Sequence, residues 1–168
     1  MSSKKPPIVN TNNFPFAIGA MGTSNNATPG RMWGSKFTIQ WYDNNNANKG
    51  NRWIDVDIYD GNWHHFVFTR DNASGQFFAY ADGVNKQWTG IYGANNAPSL
   101  TLNPSGEIFL GTIQGNPSFS WDGFMSNFAI FNRVLTEDEI LRVYNGGVPG
   151  DLTNLGPTSW WSLGADSY

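Results

Sequence analysis

Turn-forming residues interrupt this chain at short intervals, and that spacing restricts the fold more than any other feature of the sequence. Runs rich in aromatic and β-branched residues alternate with Asn, Asp, Gly and Pro clusters such as NNNANKGN, DNASG and NPSG. The pattern predicts many short strands joined by tight turns, as in a sandwich or barrel. The predicted strands are Phe14–Gly19, Lys36–Tyr42, Arg52–Tyr59, Trp63–Arg70, Gln76–Ala81, Lys86–Ile91, Glu107–Thr112, Phe124–Phe131 and Ser159–Leu163.

One segment departs from this pattern and predicts a single short helix at about 136–144. Thr136 and Glu139 have the spacing of a capping box, and Leu135 and Ile140 occupy the positions of a hydrophobic staple. Asn-Gly-Gly follows the segment and supplies a stop signal. We therefore predict an all-β protein with two antiparallel sheets and one helix.

Composition excludes several classes of site and partner. The chain contains no Cys, which excludes disulfides, thiolate metal sites and a cysteine nucleophile. Ten basic residues are scattered along the sequence and the net charge is −3, so no nucleic-acid partner is expected. No apolar stretch approaches the roughly 20 residues of a membrane-spanning helix. The opening residues MSSKKPPIVNTNN do not fit a secretory signal.

Catalytic chemistry has weak support in the sequence. A glycosidase needs two carboxyl groups about 5–5.5 Å or about 6.5–9.5 Å apart. Asp55 and Asp57 share one strand face about 7 Å apart, but no Glu lies near them to act with them. His64 and His65 are adjacent and point to opposite faces of a strand, so they cannot share a metal. We predict a protein that is not an enzyme.

The stretch RWIDVDIYD at 52–60 carries the candidate ligand site. Strand alternation sends Ile54, Val56 and Ile58 to the core and places aromatic and acidic residues together on the other face. Flat aromatic rings beside carboxylate or amide acceptors suit the apolar faces and hydroxyl groups of a sugar. If the preceding predicted strand, Lys36–Tyr42, pairs with this one, Gln40 and Tyr42 lie beside these aromatic and acidic residues. The predicted ligand-binding residues are Trp53, Asp55, Asp57, Tyr59, Gln40 and Tyr42. The alternative is that the aromatic residues pack under a loop or a neighbouring subunit.

Calcium is left open without assigned ligands. Oxygen-bearing side chains are plentiful at 43–51 and around Asn116, Asp122 and Asn127, but the first segment does not match an EF-hand loop. No metal residue and no cofactor are therefore predicted.

Two segments resemble the laminin G-like jelly rolls of the concanavalin A-like lectin/glucanase group. The first, DGNWHHFVFTRDNASGQFFAYADG at 60–83, has the Trp-His-His strand and the later Tyr-x-Asp-Gly of the family's central hairpin. The second, at 108–145, ends in the Arg-x-Leu-Thr-x-x-Glu-Ile pattern that opens the family's short helix. The resemblance implies a concanavalin A-like jelly-roll sandwich, a fold that hosts lectins, enzymes, receptors and virion proteins.

The tail PTSWWSLGADSY looks like the Trp-Trp opening of a second such domain. The predicted organisation is a flexible segment at 1–13, the laminin G-like domain at 14–156, and a C-terminal strand at 157–168. That strand either completes the sandwich or begins another domain. Tandem domains of this composition are similar to structural proteins of marine tailed phages.

The resulting prediction is a non-catalytic binding or scaffolding domain, located extracellularly or on a virion surface. Its favoured partner is a glycan or cell-surface polysaccharide. One alternative is a virion structural or decoration protein without a sugar ligand, in contact with other copies or domains of a larger surface protein. The other alternative is a glycoside hydrolase on the same fold.

Overall fold

The structure is a computed structural model that describes residues 16–20, 36–41, 50–57, 60–93 and 123–163. The chain divides into two compact units: 1–62, 72–76 and 87–108 form the first, and 63–71, 77–86 and 109–168 form the second. The described part contains nine strands and one α-helix. They are β1 (Phe16–Ala20), β2 (Lys36–Trp41), β3 (Gly50–Asp55), β4 (Phe66–Arg70), β5 (Phe77–Ala81), β6 (Val84–Lys86), β7 (Gly90–Gly93), β8 (Phe128–Ile130), α1 (Glu137–Tyr144) and β9 (Ser159–Trp161).

The first unit holds a four-stranded antiparallel sheet in the order β1-β2-β3-β7. The predicted pairing of the strands at 36–42 and 52–59 is confirmed, with Phe37 opposite Ile54 and Ile39 opposite Arg52. These four residues share one face of the sheet and are all buried. Ile54 has no exposed surface, so the period-two pattern assigned the core side of β3 correctly at this position.

The second unit holds a three-stranded antiparallel sheet in the order β4-β5-β6. Asp82 and Gly83 connect β5 to β6, with φ angles of 53° and 75°. Positive φ at both central residues defines the two-residue turn that matches the twist of a hairpin, and Asp-Gly is among its preferred sequences. This turn fixes the register in which Ala81 lies opposite Val84.

The predicted helix is confirmed. The Thr136 hydroxyl accepts a hydrogen bond from the Glu139 amide at 3.2 Å, and the Glu139 carboxylate accepts one from the Thr136 amide at 2.9 Å. The cap Asn145 has a φ of 45° and ends the helix. On the apolar side of α1, Ile140 is fully buried in a cluster with Tyr80 and Leu135.

Several predicted strands differ from those observed. The single strand at Lys86–Ile91 is wrong: the Asp-Gly turn makes β6 begin at Val84, and residues 87–89 then separate it from β7, which pairs with β3 in the other sheet. β3 ends at Asp55 rather than at Tyr59, and β4 begins at Phe66 rather than at Trp63. The predicted strand at Glu107–Thr112 and the predicted flexible segment at 1–13 lie outside the described residues.

The tail strand β9 pairs with β8, with Trp160 opposite Ala129 and Trp161 opposite Phe128. The Trp160 indole N–H donates to the side-chain oxygen of Asn127 at 3.2 Å, and the amide nitrogen of Asn127 donates to the Gly150 carbonyl at 3.1 Å. Trp160 is half-buried, whereas Trp161 is exposed. The tail is thus joined to residues that precede it by both backbone and side-chain bonds.

Deleting residues 157–168 should lower the thermal midpoint, because the deletion removes the β8–β9 ladder and the Trp160–Asn127 hydrogen bond. Trp160→Ala should cost about 1–3 kcal/mol, less than a fully buried Trp would, since this side chain is only half-buried. Thermal unfolding monitored by circular dichroism measures both effects. An unchanged midpoint after the deletion would indicate that the tail belongs to another domain.

Candidate ligand-binding face

The first family-like segment forms a structural junction in the second unit. The Asp82 carboxylate bonds the His64 ring Nδ1 at 2.9 Å and accepts the His65 backbone N–H at 2.8 Å. The Asp82 backbone N–H in turn donates to the His65 carbonyl at 2.9 Å. Asp82 therefore tethers the His-His segment to the turn that follows β5. These bonds give His64, His65 and Asp82 a structural role.

The same turn packs on the helix. A Cβ at Gly83 would approach Leu141 Cδ2 to 2.9 Å and Tyr144 Cδ1 to 3.0 Å, so glycine allows the close approach as well as the positive φ. The His65 ring stacks on Tyr144 with ring centroids 5.9 Å apart. Its Nδ1 is buried without a hydrogen-bond partner among the described residues. Burial lowers the pKa of His65, and the negative charge of Asp82 opposes that shift.

We expect the free energy of unfolding to fall as the pH drops from 7 to 5.5. The unfolded His65 takes up a proton near its ordinary pKa of 6.5, whereas the folded residue resists protonation. The unfolded state then binds more protons than the folded state. The contribution of His65 to the free energy of unfolding is therefore fully present above this pH range and is lost below it. Urea titrations at both pH values measure the loss, which should be smaller in His65→Gln and retained in His64→Gln. Equal losses in wild type and His65→Gln would contradict this assignment.

The second family-like segment also has structural roles. Arg133 donates to both carboxylate oxygens of Glu139, at 2.7 and 2.8 Å, and to the Leu155 carbonyl at 2.9 Å. The hydrogen bond from Arg133, followed by that from the Thr136 amide, lowers the pKa of Glu139 to about 2. Leu135 is buried beside the helix. These contacts secure the start of α1.

The residues predicted for the site on β3 divide by exposure. Ile54 is buried and Val56 is half-buried, while Asp55 and Asp57 are exposed. Trp53 is half-buried, because its indole lies over Gly90 of β7 so closely that a Cβ there would overlap the ring. Because β3 ends at Asp55, Asp57 lies beyond the strand and does not continue it as predicted.

Thr89, the residue before β7, also holds Trp53 in place. The Trp53 backbone carbonyl accepts hydrogen bonds from the Thr89 backbone N–H at 2.9 Å and from the Thr89 hydroxyl at 3.3 Å. On the opposite side of β3, Arg52 is buried, and its guanidinium carbon lies 5.6 Å from the centre of the Trp88 ring. Burial lowers the pKa of Arg52.

Ladder register assigns a larger set of residues to the side of the sheet that carries Trp53, here named the β3 face. One row joins Thr38, Trp53 and Gly90, and the next joins Gln40, Asn51 and Tyr92. Lys36 lies opposite Asp55. Directly opposed residues of antiparallel strands share a face. On β2, β3 and β7, the β3 face therefore comprises polar, aromatic and glycine positions: Lys36, Thr38, Gln40, Asn51, Trp53, Asp55, Gly90 and Tyr92. Ala17 and Gly19 of β1 continue this face opposite Gln40 and Thr38.

Part of the predicted site can be placed on this face. Trp53 and Asp55 are on it, Gln40 has a backbone position on it, and Asp57 follows its last β3 residue. Tyr42 and Tyr59 lie outside the described residues. Sequence reasoning missed Tyr92, because the pairing of β3 with β7 joins strands that are distant in sequence. It missed Asn51 because the predicted strand began at Arg52, and it did not assign Thr38 to the site.

A second exposed group was also missed. In the second unit, Trp63 is 59% exposed and Phe124 is 86% exposed, and their ring centroids lie 6.5 Å apart. Met125 beside them is exposed as well. The sequence placed Trp63 and Phe124 in separate strands, and both in fact precede the strands they were assigned to.

The described residues contain neither a cluster of metal ligands nor a membrane-spanning helix. In that part of the chain, no three His, Asp or Glu side chains come together in an arrangement that could hold a metal ion. Among the same residues, no helix is long and apolar enough to cross a membrane.

Comparison with known proteins gives one family and one group of relatives. A laminin G family model, described as the concanavalin A-like lectin/glucanases superfamily, matches residues 7–141. Neuronal pentraxin-2 of Mus musculus is 33% identical over 103 residues, which cover 56% of this chain and 23% of that protein. Neuronal pentraxin-1 of Homo sapiens is 34% identical over 92 residues, which cover 51% of this chain and 20% of that protein. No solved structure matches the chain.

The two comparisons differ in how much they cover. The chain spans only about a fifth to a quarter of the length of these curated relatives. The family model covers most of the chain, including the whole first family-like segment. The chain therefore belongs to the concanavalin A-like lectin/glucanases superfamily.

Proposed function

We propose that this chain is a non-catalytic carbohydrate-binding domain that binds glycans on the β3 face at an exterior surface. The observation that carries the proposal is the register that surrounds Trp53 with polar positions. Thr38 is opposite Trp53 in the ladder, Gln40 and Asn51 form the neighbouring row, and Asp55 is exposed at the end of β3.

The chemistry of these residues suits a sugar. A pyranose ring has apolar C–H faces that can stack on an indole, and hydroxyl groups that donate and accept hydrogen bonds. Carboxylates accept such bonds, while amides both donate and accept them. Gly90 lets the Trp53 indole lie close against β7, which would hold the ring in one orientation before a ligand arrives.

Membership of the superfamily supports a binding domain, and the carboxylates argue against hydrolysis. Asp55 and Asp57 are both exposed. A glycosidase instead needs one carboxyl group whose surroundings keep it protonated, usually through burial. Among the described residues, Glu137 and Glu139 both lie in the first turn of α1, and Glu139 is engaged by Arg133. These positions favour binding without bond cleavage.

A glycan array probed with the full chain, with and without calcium, tests the proposal. We expect binding to a restricted group of sugars, and we expect Trp53→Ala to lose it. An array without binding under both conditions would reject the carbohydrate proposal. It would instead favour a structural role in a larger surface protein, for which the exposed Trp63 and Phe124 offer an apolar contact.

A further inference from the structure

We propose that Asp55 and Asp57 determine the charge class of the ligand, so that the β3 face accepts uncharged or amine-bearing sugars and excludes anionic glycans. This inference rests on the proposed function and adds a substrate class to it. The excluded class contains sulfated, sialylated and uronate-rich polymers, and the accepted class contains neutral and amino sugars.

The two carboxylates follow Trp53 closely along the chain. Asp55 lies two residues from Trp53, on the same side of β3, and Asp57 follows just beyond the end of the strand. Alternate residues of a strand are separated by roughly 7 Å, about the width of one sugar ring. Both side chains are exposed. A sugar that stacks on Trp53 would therefore have at least one carboxylate beside its ring substituents.

Arg52 and Lys36 carry positive charge among the described residues of β2 and β3. Arg52 is adjacent to Trp53 in sequence, but alternation turns it to the opposite side of the sheet, where it is buried near Trp88. Within the described part of the β3 face, Lys36 is the basic residue, and its ladder position is opposite Asp55. A sulfate or carboxylate on the ligand would meet two exposed acidic residues, Asp55 and Asp57, at a face whose described basic residue is Lys36.

Repulsion between these carboxylates and an anionic ligand sets the sign and size of the effect on binding. Like charges a few ångströms apart in water repel enough to weaken binding by about fivefold for each charge pair. A polymer with a charge on every sugar accumulates several such pairs, whereas an amine gains attraction from the same carboxylates. The net charge of −3 on the whole chain acts in the same direction over longer distances.

The array described above supplies the first test. Every bound sugar should be neutral or amine-bearing, and sulfated, sialylated or uronate forms of the same backbones should bind at least about fivefold more weakly. Binding that favours the anionic forms would overturn the inference while leaving the proposed function intact. An array without any binding would instead reject the proposed function itself.

Charge reversal supplies the second test, with dextran and dextran sulfate as probes that share one backbone and differ by the sulfate groups. Wild type should not bind dextran sulfate at 0.15 M salt, whereas Asp55→Lys/Asp57→Lys should bind it, more weakly at higher salt. The matched control, Glu137→Lys/Asp138→Lys, changes the net charge equally in the first turn of α1 and should not gain this binding. Binding by wild type, an equal gain in both variants, or no gain in the face variant would overturn the inference. Circular dichroism verifies that each variant is folded.

Discussion

Replacing Ile140 with alanine is expected to lower the free energy of unfolding by about 2–5 kcal/mol, the range observed for large aliphatic residues cut to alanine in protein cores. Ile140 is fully buried and joins α1 to Tyr80 of β5 and to Leu135. Partly buried side chains pack around this cluster, from Val67, Phe78, Phe131 and Val143. Removal of three carbon atoms would therefore leave a cavity that several elements of the second unit would have to close.

Leu141→Ala is the matched control because it lies next to Ile140 in the same helix and is 52% exposed. Its expected cost is smaller, about 1 kcal/mol, since about half of its side chain is already exposed to solvent. Urea unfolding followed by circular dichroism measures both variants. Equal losses of stability would mean that α1 does not pack through Ile140, which would contradict the described core of the second unit.

Gly90→Ala is expected to displace the Trp53 indole and to destabilise the protein by about 1–3 kcal/mol, the usual cost of overpacking. The new methyl group would overlap the ring, and β7 cannot move away easily because it pairs with β3 from Gly50 to Trp53. Relief therefore requires a new orientation of the indole. The variant should also lose glycan affinity, because the ring would leave the position proposed for stacking.

Gly150→Ala is the matched control for this substitution. Its added Cβ would lie 3.7 Å from the nearest neighbouring atom, the Asn145 side-chain nitrogen, which is ordinary contact. Stability and glycan binding should change little. Full retention of both properties in Gly90→Ala would show that the Trp53 indole does not lie over β7 as described.

Local signals in the sequence predicted the parts of the fold that depend on neighbouring residues. The helix follows from Thr136 and Glu139, which need only three residues of separation to form the capping box. The turn at Asp82 and Gly83 is similarly local. The burial of Ile54 follows from alternation along one strand.

The β3 face depends on distant pairings, and the sequence showed only part of it. Neither Gly90 nor Tyr92 is near β3 in sequence, yet both lie opposite it in the sheet. The predicted strand across Lys86–Ile91 concealed this pairing, because it merged the end of one short strand and the start of another that belongs to a different sheet. The half-burial of Trp53 likewise depends on the absence of a side chain at Gly90, which no pattern within β3 could indicate.

The most direct test of the central claim is isothermal titration of the best-bound sugar from the array into wild type, Trp53→Ala and Trp161→Ala. Trp161 is an exposed tryptophan of the other unit, so its loss controls for the general effect of removing an indole. We predict that Trp53→Ala keeps the circular dichroism spectrum of wild type and loses at least about tenfold in affinity, equivalent to 1.4 kcal/mol, while Trp161→Ala binds as wild type does. Unchanged affinity in a folded Trp53→Ala would contradict the assignment of glycan binding to the β3 face.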